Sequence, residues 1–378
     1  MHPELTEEHE ALRRVVREFV EAEVEPHAAD WDRDHTFPVE TVLRMGELGL
    51  FGIPFPEPYG GGGDLTGLCV AIEEIARADQ SLAITLEAGV GLGASPVFKF
   101  GTPAQQEAWL PDLCAGRALG GFGLTEPDAG SDAGGTRTRA RLDDGHWVID
   151  GEKSFITNSG TPITSIVTVT ALTDPGEIST IVVPAGTPGF EVQPPYRKMG
   201  WHASDTHGLT FVECRVPEAN LLGARGRGFA QFLEILDEGR IAIAALAVGV
   251  IQRCVDDSVA YANERHTFGR PIGSNQGVAF RCADMHVALA AARQLVYHAA
   301  WLRDTGRPFK TEAATAKLFA TEAAIDATRS ATQVFGGYGF MDETAVSRHY
   351  RDAKILEIGE GTSEVQRMVI SRALGLRV

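Results

Sequence analysis

In Ile358-Gly359-Glu360-Gly361-Thr362-Ser363-Glu364 a carboxylate stands between two glycines, just before a helix that Thr362 or Ser363 can cap. Glycines on both sides leave the Glu360 side chain bare and let another molecule approach its backbone N–H. A loop glutamate by itself is usually only solvated. A bare, positioned one can instead meet a bound molecule.

Four other segments carry residue types that suit a ligand. Leu124-Thr125-Glu126-Pro127-Asp128-Ala129-Gly130-Ser131 combines turn residues, hydroxyls and small side chains, so its backbone can lie against a flat or anionic group. The same composition describes an ordinary turn. Phe155-Ile156-Thr157-Asn158 offers an aromatic and a hydroxyl two residues apart, on one face of a strand if the alternation is regular; cross-strand packing explains it equally well. Arg265, Thr267 and Phe268 follow a long helical pattern, with Gln276 a little further on, and Arg265 can donate to a pyrophosphate. Gln333-Val334-Phe335-Gly336-Gly337 ends another helix with glycines that permit close approach, or that simply form its C-cap.

No strand–GxGxxG–helix unit, P-loop or zinc pattern appears. Gly60–Gly63 and Gly223/Gly226/Gly228 read as connectors. A nucleotide cofactor would therefore be held some other way.

Three textures position these segments. Residues 1–120 read as helical, with Leu12, Val15, Val16, Phe19 and Val20 at 3/4 spacing after Thr6, then helices near Val39–Leu48, Leu68–Ala78, Ile84–Phe100 and Pro103–Ala115. Residues 121–228 read as a small antiparallel β domain, a barrel or sandwich. A hairpin is expected at Asp150-Gly151, between Trp147–Ile149 and Lys153–Ile156. Residues 229–378 read as a bundle of long alanine-rich helices: Phe229–Asn263, Gln276–Thr305, Pro308–Phe335 and Ser363–Ala373. Ile241–Val250 is apolar on all sides, which implies burial against other subunits as well. The fold class is thus α+β in the order helical, β, helical.

Apolar residues make up 44% of the 378, enough for a sizeable core, and the formal charge is -17. That charge argues against nucleic acid or an anionic membrane as partners, and a polyanionic ligand would need a local basic patch. Cys69, Cys114, Cys214, Cys254 and Cys282 are dispersed, which fits buried reduced thiols. The start, Met1-His2-Pro3-Glu4, lacks the basic and apolar flanks of a secretory signal, and no run approaches the ~20 apolar residues of a membrane span. A cytoplasmic protein is expected, or one of the mitochondrial matrix if the source is eukaryotic.

Taken together and in order, the five segments resemble the acyl-CoA dehydrogenase family over essentially the whole chain. Leu236–Ile241, Lys317–Ala320 and Arg348–Lys354 bring the C-terminal half closest to short-chain members. The resemblance implies non-covalent FAD and oxidation of an acyl-CoA thioester to the 2-enoyl-CoA. Glu360 would be the α-proton base, with hydride passing to flavin N5. It implies FAD contacts at Phe122, Leu124, Thr125, Gly130 and Ser131, at Phe155, Ile156 and Thr157, and at Thr362 and Glu364. Arg265, Thr267, Phe268, Gln276, Gln333, Val334, Gly336 and Gly337 match further FAD segments, of which Arg265, Gln276 and Gln333–Gly337 would serve a neighbouring subunit of a homo-oligomer, a tetramer. Ser131, Asp237, Arg240 and Gly361 match acyl-CoA contacts. Electron-transferring flavoprotein is the implied electron acceptor.

Two departures stand out: Phe155 where most relatives have Trp, and Gly359 where many have Tyr. Some relatives carry the base near Gly239 instead, and glycine cannot serve. The extra room at Gly359 favours a short acyl group, straight or 2-methyl-branched, with Leu86, Glu87, Val90 and Leu92 closing the far end of the tunnel. A flavin oxidase on the same scaffold and a catalytically silent binding subunit are the competing readings.

Overall fold

The computed structural model describes residues 5–377; the Met1–Glu4 start lies outside them. Thr6 accepts from His9 N and caps helix α1 (Glu7–Glu23), and the left-handed Gly49 follows the end of α3 (Val39–Glu47), with α2 (Ala28–Asp34) between the two. Helices α4 (Leu65–Ala78) and α5 (Gln80–Glu87) begin at Asp64 and Asp79, whose carboxylates accept from Gly67 N and Leu82 N.

The expected helix Ile84–Phe100 is not one α-helix. A π-helical stretch, Ala88–Ala94, separates α5 from α6 (Ser95–Phe100), and Ser95 Oγ donates to Val90 O five residues back. The extra residue per turn re-aims the side chains that follow. Gln80–Phe100 is also apolar and long enough to pass as a membrane span, contrary to the sequence reading. However, 83% of that window is buried inside the protein. Helix α7 (Pro103–Cys114), capped by Thr102, leads into the sheet.

The β region contains β1 (Leu119–Gly123), β2 (Arg139–Asp143), β3 (His146–Thr157), β4 (Thr164–Asp174), β5 (Glu177–Pro184), β6 (Phe190–Val192), β7 (Thr206–Pro217) and β8 (Leu221–Leu222). Their order is β6-β7-β3-β2-β4-β5-β8, with β1 beside β4. Most pairs are antiparallel, but β1 runs parallel to β4, and β2 touches β4 in parallel, so the sheet is mixed. Trp147, Ile149, Val167, Val169, Ile181 and Phe211 fill its core.

The Asp150-Gly151 hairpin does not form. β3 runs through it as a bulge, with Gly151 at φ 149° and Thr138 Oγ1 2.5 Å from where a Cβ would stand. The hairpin turns one Asp-Gly earlier. Asp144 and Gly145, both left-handed, join β2 to β3.

The second helical region begins with α8 (Gly228–Glu264). A short ribbon, β9 (His266–Thr267) and β10 (Arg270–Pro271), leads to α9 (Gln276–Asp304), α10 (Lys310–Phe335), α11 (Ala345–Ala353) and α12 (Ser363–Ala373). Ile241–Ile251 of α8 is buried throughout, and α4, α9 and α10 of the same chain cover it. The all-round apolar run is therefore the centre of this chain's own core, not an intersubunit surface. Cys69, Cys114, Cys214 and Cys254 are buried and Cys282 half-buried, all as free thiols.

Candidate active site

Glu360 lies in the turn before α12 with φ 52°, a left-handed conformation that non-glycine residues seldom adopt. The turn is held from three sides. Thr362 Oγ1 accepts from Val365 N at 3.3 Å, and Lys317 Nζ on α10 donates to Gly361 O at 2.8 Å. Gln366 Nε2 also reaches Gly361 O at 2.8 Å. The residue as a whole is half-buried, yet both carboxyl oxygens are closed off from solvent and find no hydrogen-bond donor. Burial raises the Glu360 pKa; Glu87, Lys317 and Arg240 oppose that rise without cancelling it. Burial also lowers Lys317, to about 8.

Gly239 on α8 makes the space for this carboxylate. A Cβ there would stand 2.0 Å from Glu360 Oε2. Two residues before Gly239, Asp237 pairs with the buried Arg240. A cavity of about 30 Å³ opens beside Gly239, lined by Phe55, Glu87, Val90, Ser95, Phe98 and Ala242. Lys99 and Arg303 clamp Glu238 at 2.9 and 3.0 Å along its edge. Of the four residues expected at the tunnel end, Glu87 and Val90 line this cavity. Leu86 does not, being buried in the helical core, and Leu92 packs with Phe122 and Phe232. Leu92 lies within the π-helical stretch, whereas Leu86 precedes it on α5.

The segment after β1 is rigid. Phe122 stacks on Phe232 of α8, ring centroids 3.8 Å apart. Glu126 accepts from Arg137 N at 2.6 Å, Thr138 N at 3.1 Å and the buried Lys153 Nζ at 2.8 Å. Burial lowers Lys153 to about 8. Burial also pushes Glu126 up, but Lys153 and the two backbone donors outweigh it and keep Glu126 below the usual carboxylate range. Thr125 O accepts from Ser154 N at 2.8 Å, which ties this loop to β3. Gly130 and Ser131 are exposed.

Phe155 is 64% exposed, at φ 63°, in a second bulge of β3, with Tyr196 at 5.1 Å. The bulge breaks the alternation from which a shared face with Thr157 was argued. Ile156 is packed in the sheet core, so only its main chain is available to a ligand.

A separate open cleft of about 580 Å³ lies at the far ends of α8 and α10. Arg265, Thr267, Phe335, Gly336, Gly337 and Tyr338 line it, and no residue of the β region does. Arg265 lies over the Tyr338 ring at 5.9 Å, Gly336 is left-handed, Gln276 and Gln333 are exposed, and the Val334 side chain is buried. Phe268, in the turn between β9 and β10, is fully exposed. Two groups of expected site residues thus lie in different parts of one chain.

The family comparisons agree with this architecture. The acyl-CoA dehydrogenase N-terminal domain family matches residues 6–117, the middle domain 121–214 and the C-terminal domain 226–375. The chain belongs to the acyl-CoA dehydrogenase family. It is similar to a probable acyl-CoA dehydrogenase, YngJ, of Bacillus subtilis, at 51% identity over 99% of this chain and 100% of that protein. A short-chain specific acyl-CoA dehydrogenase of Clostridium acetobutylicum is 44% identical over 97% and 98%. The three-dimensional structure of butyryl-CoA dehydrogenase from Megasphaera elsdenii superposes with a TM-score of 0.97 and 41% identity, covering 100% of both chains.

Acyl-CoA dehydrogenases are FAD-dependent oxidoreductases. The residues present fit that cofactor. The exposed Phe155 ring offers a flat contact beside the buttressed Leu124–Thr125 backbone, and Arg265 stands in a roomy cleft beside a glycine pair that leaves the backbone bare.

The sequence reading missed two elements of the site. Glu87 was assigned to a tunnel wall, yet it faces Glu360. Gly239 was considered only as an unusable base, yet it is the notch that admits the carboxylate. Glu87 carried one signal, a lone acid inside the otherwise apolar run Ile84–Val90.

Lys153→Met leaves Glu126 buried and unpaired, so the expected loss of stability is ~3–5 kcal/mol. The loop at Leu124–Ser131 should also hold flavin less tightly. A thermal melt and the flavin-to-protein absorbance ratio check both, and an unchanged ratio would separate this ion pair from cofactor binding.

Proposed function

We propose that the protein oxidises a short acyl-CoA, straight or 2-methyl-branched, to its 2-enoyl-CoA with Glu360 as the α-proton base. The observation that carries this reading is a solvent-excluded carboxylate without a donor, held in a left-handed turn beside an apolar cavity. Burial raises its pKa towards the operating pH, which improves it as a base. Lys317 and Arg240 keep the ionised form accessible. The Glu360 backbone N–H is the candidate donor to the thioester oxygen, where charge develops as the proton leaves. When bound, FAD would supply the redox chemistry as acceptor of the β-hydrogen with its two electrons, a hydride, while Glu360 takes the α-proton. Phe155, Thr125 and Thr157 would border the flavin, and Ser131, Asp237, Arg240 and Gly361 the acyl-CoA. Electron-transferring flavoprotein is the proposed acceptor.

Glu360→Gln should retain FAD and acyl-CoA but reduce flavin at least ~100-fold more slowly. Stopped-flow flavin absorbance measures this, and near-normal reduction would remove Glu360 from the role.

A homotetramer is the proposed assembly. Phe268, Phe280, Val287 and Phe340 expose 60% or more of their surface, and the cleft holding Arg265 and Gly336 is lined by no residue of its own β region. Light scattering of the yellow protein should give about four times the 40.6 kDa chain mass; a flavin-loaded monomer contradicts it.

The Clostridium and Megasphaera relatives support a short acyl chain, and Gly359 supports room near the reacting carbons. A Cβ at Gly359 would meet only Ile355 O, at 3.5 Å. Across C4 to C16 thioesters kcat/KM should be highest at C4–C5 and taper gradually, since one methylene is worth only ~1–3 kcal/mol. Gly359→Tyr should depress 2-methyl-branched substrates more than butyryl-CoA. Preference for C16 would overturn the chain-length assignment, and equal depression would overturn the branch argument.

A further inference from the structure

We propose that Glu87 is a positioning residue for Glu360, a second carboxyl that faces it across the Gly239 notch and shares a single proton with it. This rests on the reading of Glu360 as the base.

The geometry comes from three elements. Glu87 ends α5, Gly239 lies on α8, and Glu360 precedes α12. From the point a Gly239 Cβ would occupy, Glu360 Oε2 is 2.0 Å away and Glu87 Oε1 is 3.5 Å away. The two acids thus converge on one small space that only a glycine leaves open. Glu87 is fully buried. Neither of its oxygens, and neither of those of Glu360, has a hydrogen-bond donor among the described residues. Four unmatched acceptor oxygens in a dry site are costly, and two adjacent charges more so. A single proton between the carboxyls removes one charge and supplies the one donor the site lacks.

The surrounding charges decide which acid holds that proton. Arg240 on α8 and Lys317 on α10 act on Glu360 and favour its ionised form. Glu238 on α8, with Lys99 on α6 and Arg303 on α9, lines the same cavity as Glu87, but these three are paired with one another. Arg348, His349 and Asp352 on α11 gather beside Asp79 and Gln80, at the opposite end of α5. Glu87 therefore lacks a cation of its own, and burial, followed by the Glu360 charge, lifts it well above the carboxylate range. The proton rests on Glu87, and Glu360 stays ionised and ready. Each carboxyl acts on the other's proton through a side-chain hydrogen bond, which raises Glu87 and lowers Glu360. They titrate as a pair, not as two sites.

In turnover the substrate's α C–H bond breaks and an O–H bond forms on Glu360, while the Glu87 proton stays in place. Both acids are then neutral. The pair must release one proton before the next cycle.

The sign of the pH effect follows. Activity is lost as pH falls through the pKa at which Glu360 takes up the second proton. Glu87 opposes that uptake by donating to Glu360. Glu87→Leu removes the donor, so the acid limb of kcat/KM should move up by about one pH unit, which is tenfold in activity below the limb. Glu87→Gln keeps a donor and should hold the limb near its original position. The infrared spectrum of the flavin-loaded enzyme at pH 7 supplies a readout independent of turnover. In difference spectra against the wild type, Glu87→Gln should lose a protonated-carboxyl stretch and Glu360→Gln should not; the Asp352 carboxyl, which burial lifts to about 7, contributes equally to all three.

If both Glu87 variants keep the original limb, or both move it equally, the proposal is overturned. It is equally overturned if Glu87→Gln loses no carboxyl intensity relative to the wild type. If Glu360→Gln still reduces flavin, the base assignment fails instead, and the infrared band alone decides whether the proton is shared.

Discussion

Helix α8 passes so close to α4 that a Cβ on Gly249 would stand 2.2 Å from Glu73 O. That backbone contact fixes where the rest of α8 lies. Upstream, Gly239 is set against Glu87 and Glu360, and at the helix start a Cβ on Gly228 would stand 2.4 Å from the Ser179 carbonyl carbon of β5. Gln231 is held by Thr180 Oγ1 at 2.9 Å, and Phe232 stacks on Phe122. One rod therefore sets three distances at once: helix to helix, helix to sheet, and cavity wall to carboxylate. Because Ile241–Ile251 is buried on all sides, small shifts of this central run are resisted by close packing.

Charge inside the molecule is arranged differently from charge on its surface. The chain carries a formal -17, yet several of its buried acids are met by a partner of their own. Glu73 takes Arg293 at 2.7 Å and the Tyr297 hydroxyl at 2.7 Å, Glu74 takes Arg17 at 2.9 Å, and Glu126 takes Lys153. Such fully paired acids are structural, because removing one partner leaves a charge that water cannot reach. Glu87 and Glu360 break the pattern, with four oxygens and no donor. Asp79 and Asp352 also leave one buried oxygen each without a partner, but each keeps a backbone donor on the other, whereas Glu87 and Glu360 have none on either oxygen.

The order of helical and β regions was legible because periodicity is a local property, and α12 was read to the residue at Ser363–Ala373. The hairpin was not. Two Asp-Gly pairs lie six residues apart in β2–β3, and a dipeptide cannot say which of them turns and which bulges. That choice is made by Thr138 crossing at Gly151, a contact between residues distant in sequence. The π-helical stretch was invisible for a similar reason, since nothing local in its sequence distinguishes it from an α-helix, while in the fold its Gly93 lies against the Gly120 backbone of β1. Glu360 was legible through its glycines. Glu87 was not, because what matters about it is the partner it faces across the fold.

The apolar stretch Gln80–Phe100 acquires another meaning when the chain is still being made. Its principal cover, α8, does not begin until Gly228. At about 5–20 residues per second, a membrane-like segment stays uncovered on the ribosome for roughly ten seconds. During that interval it competes for chaperones and for insertion machinery. Two charges lie within it, Glu87 and Lys99. Each makes insertion into a bilayer centre less favourable by about 2.5–3.5 kcal/mol if it sits near the middle of a span, as Glu87 does. The acid that crowds Glu360 in the finished protein thus also interrupts the apolar run of the unfinished chain.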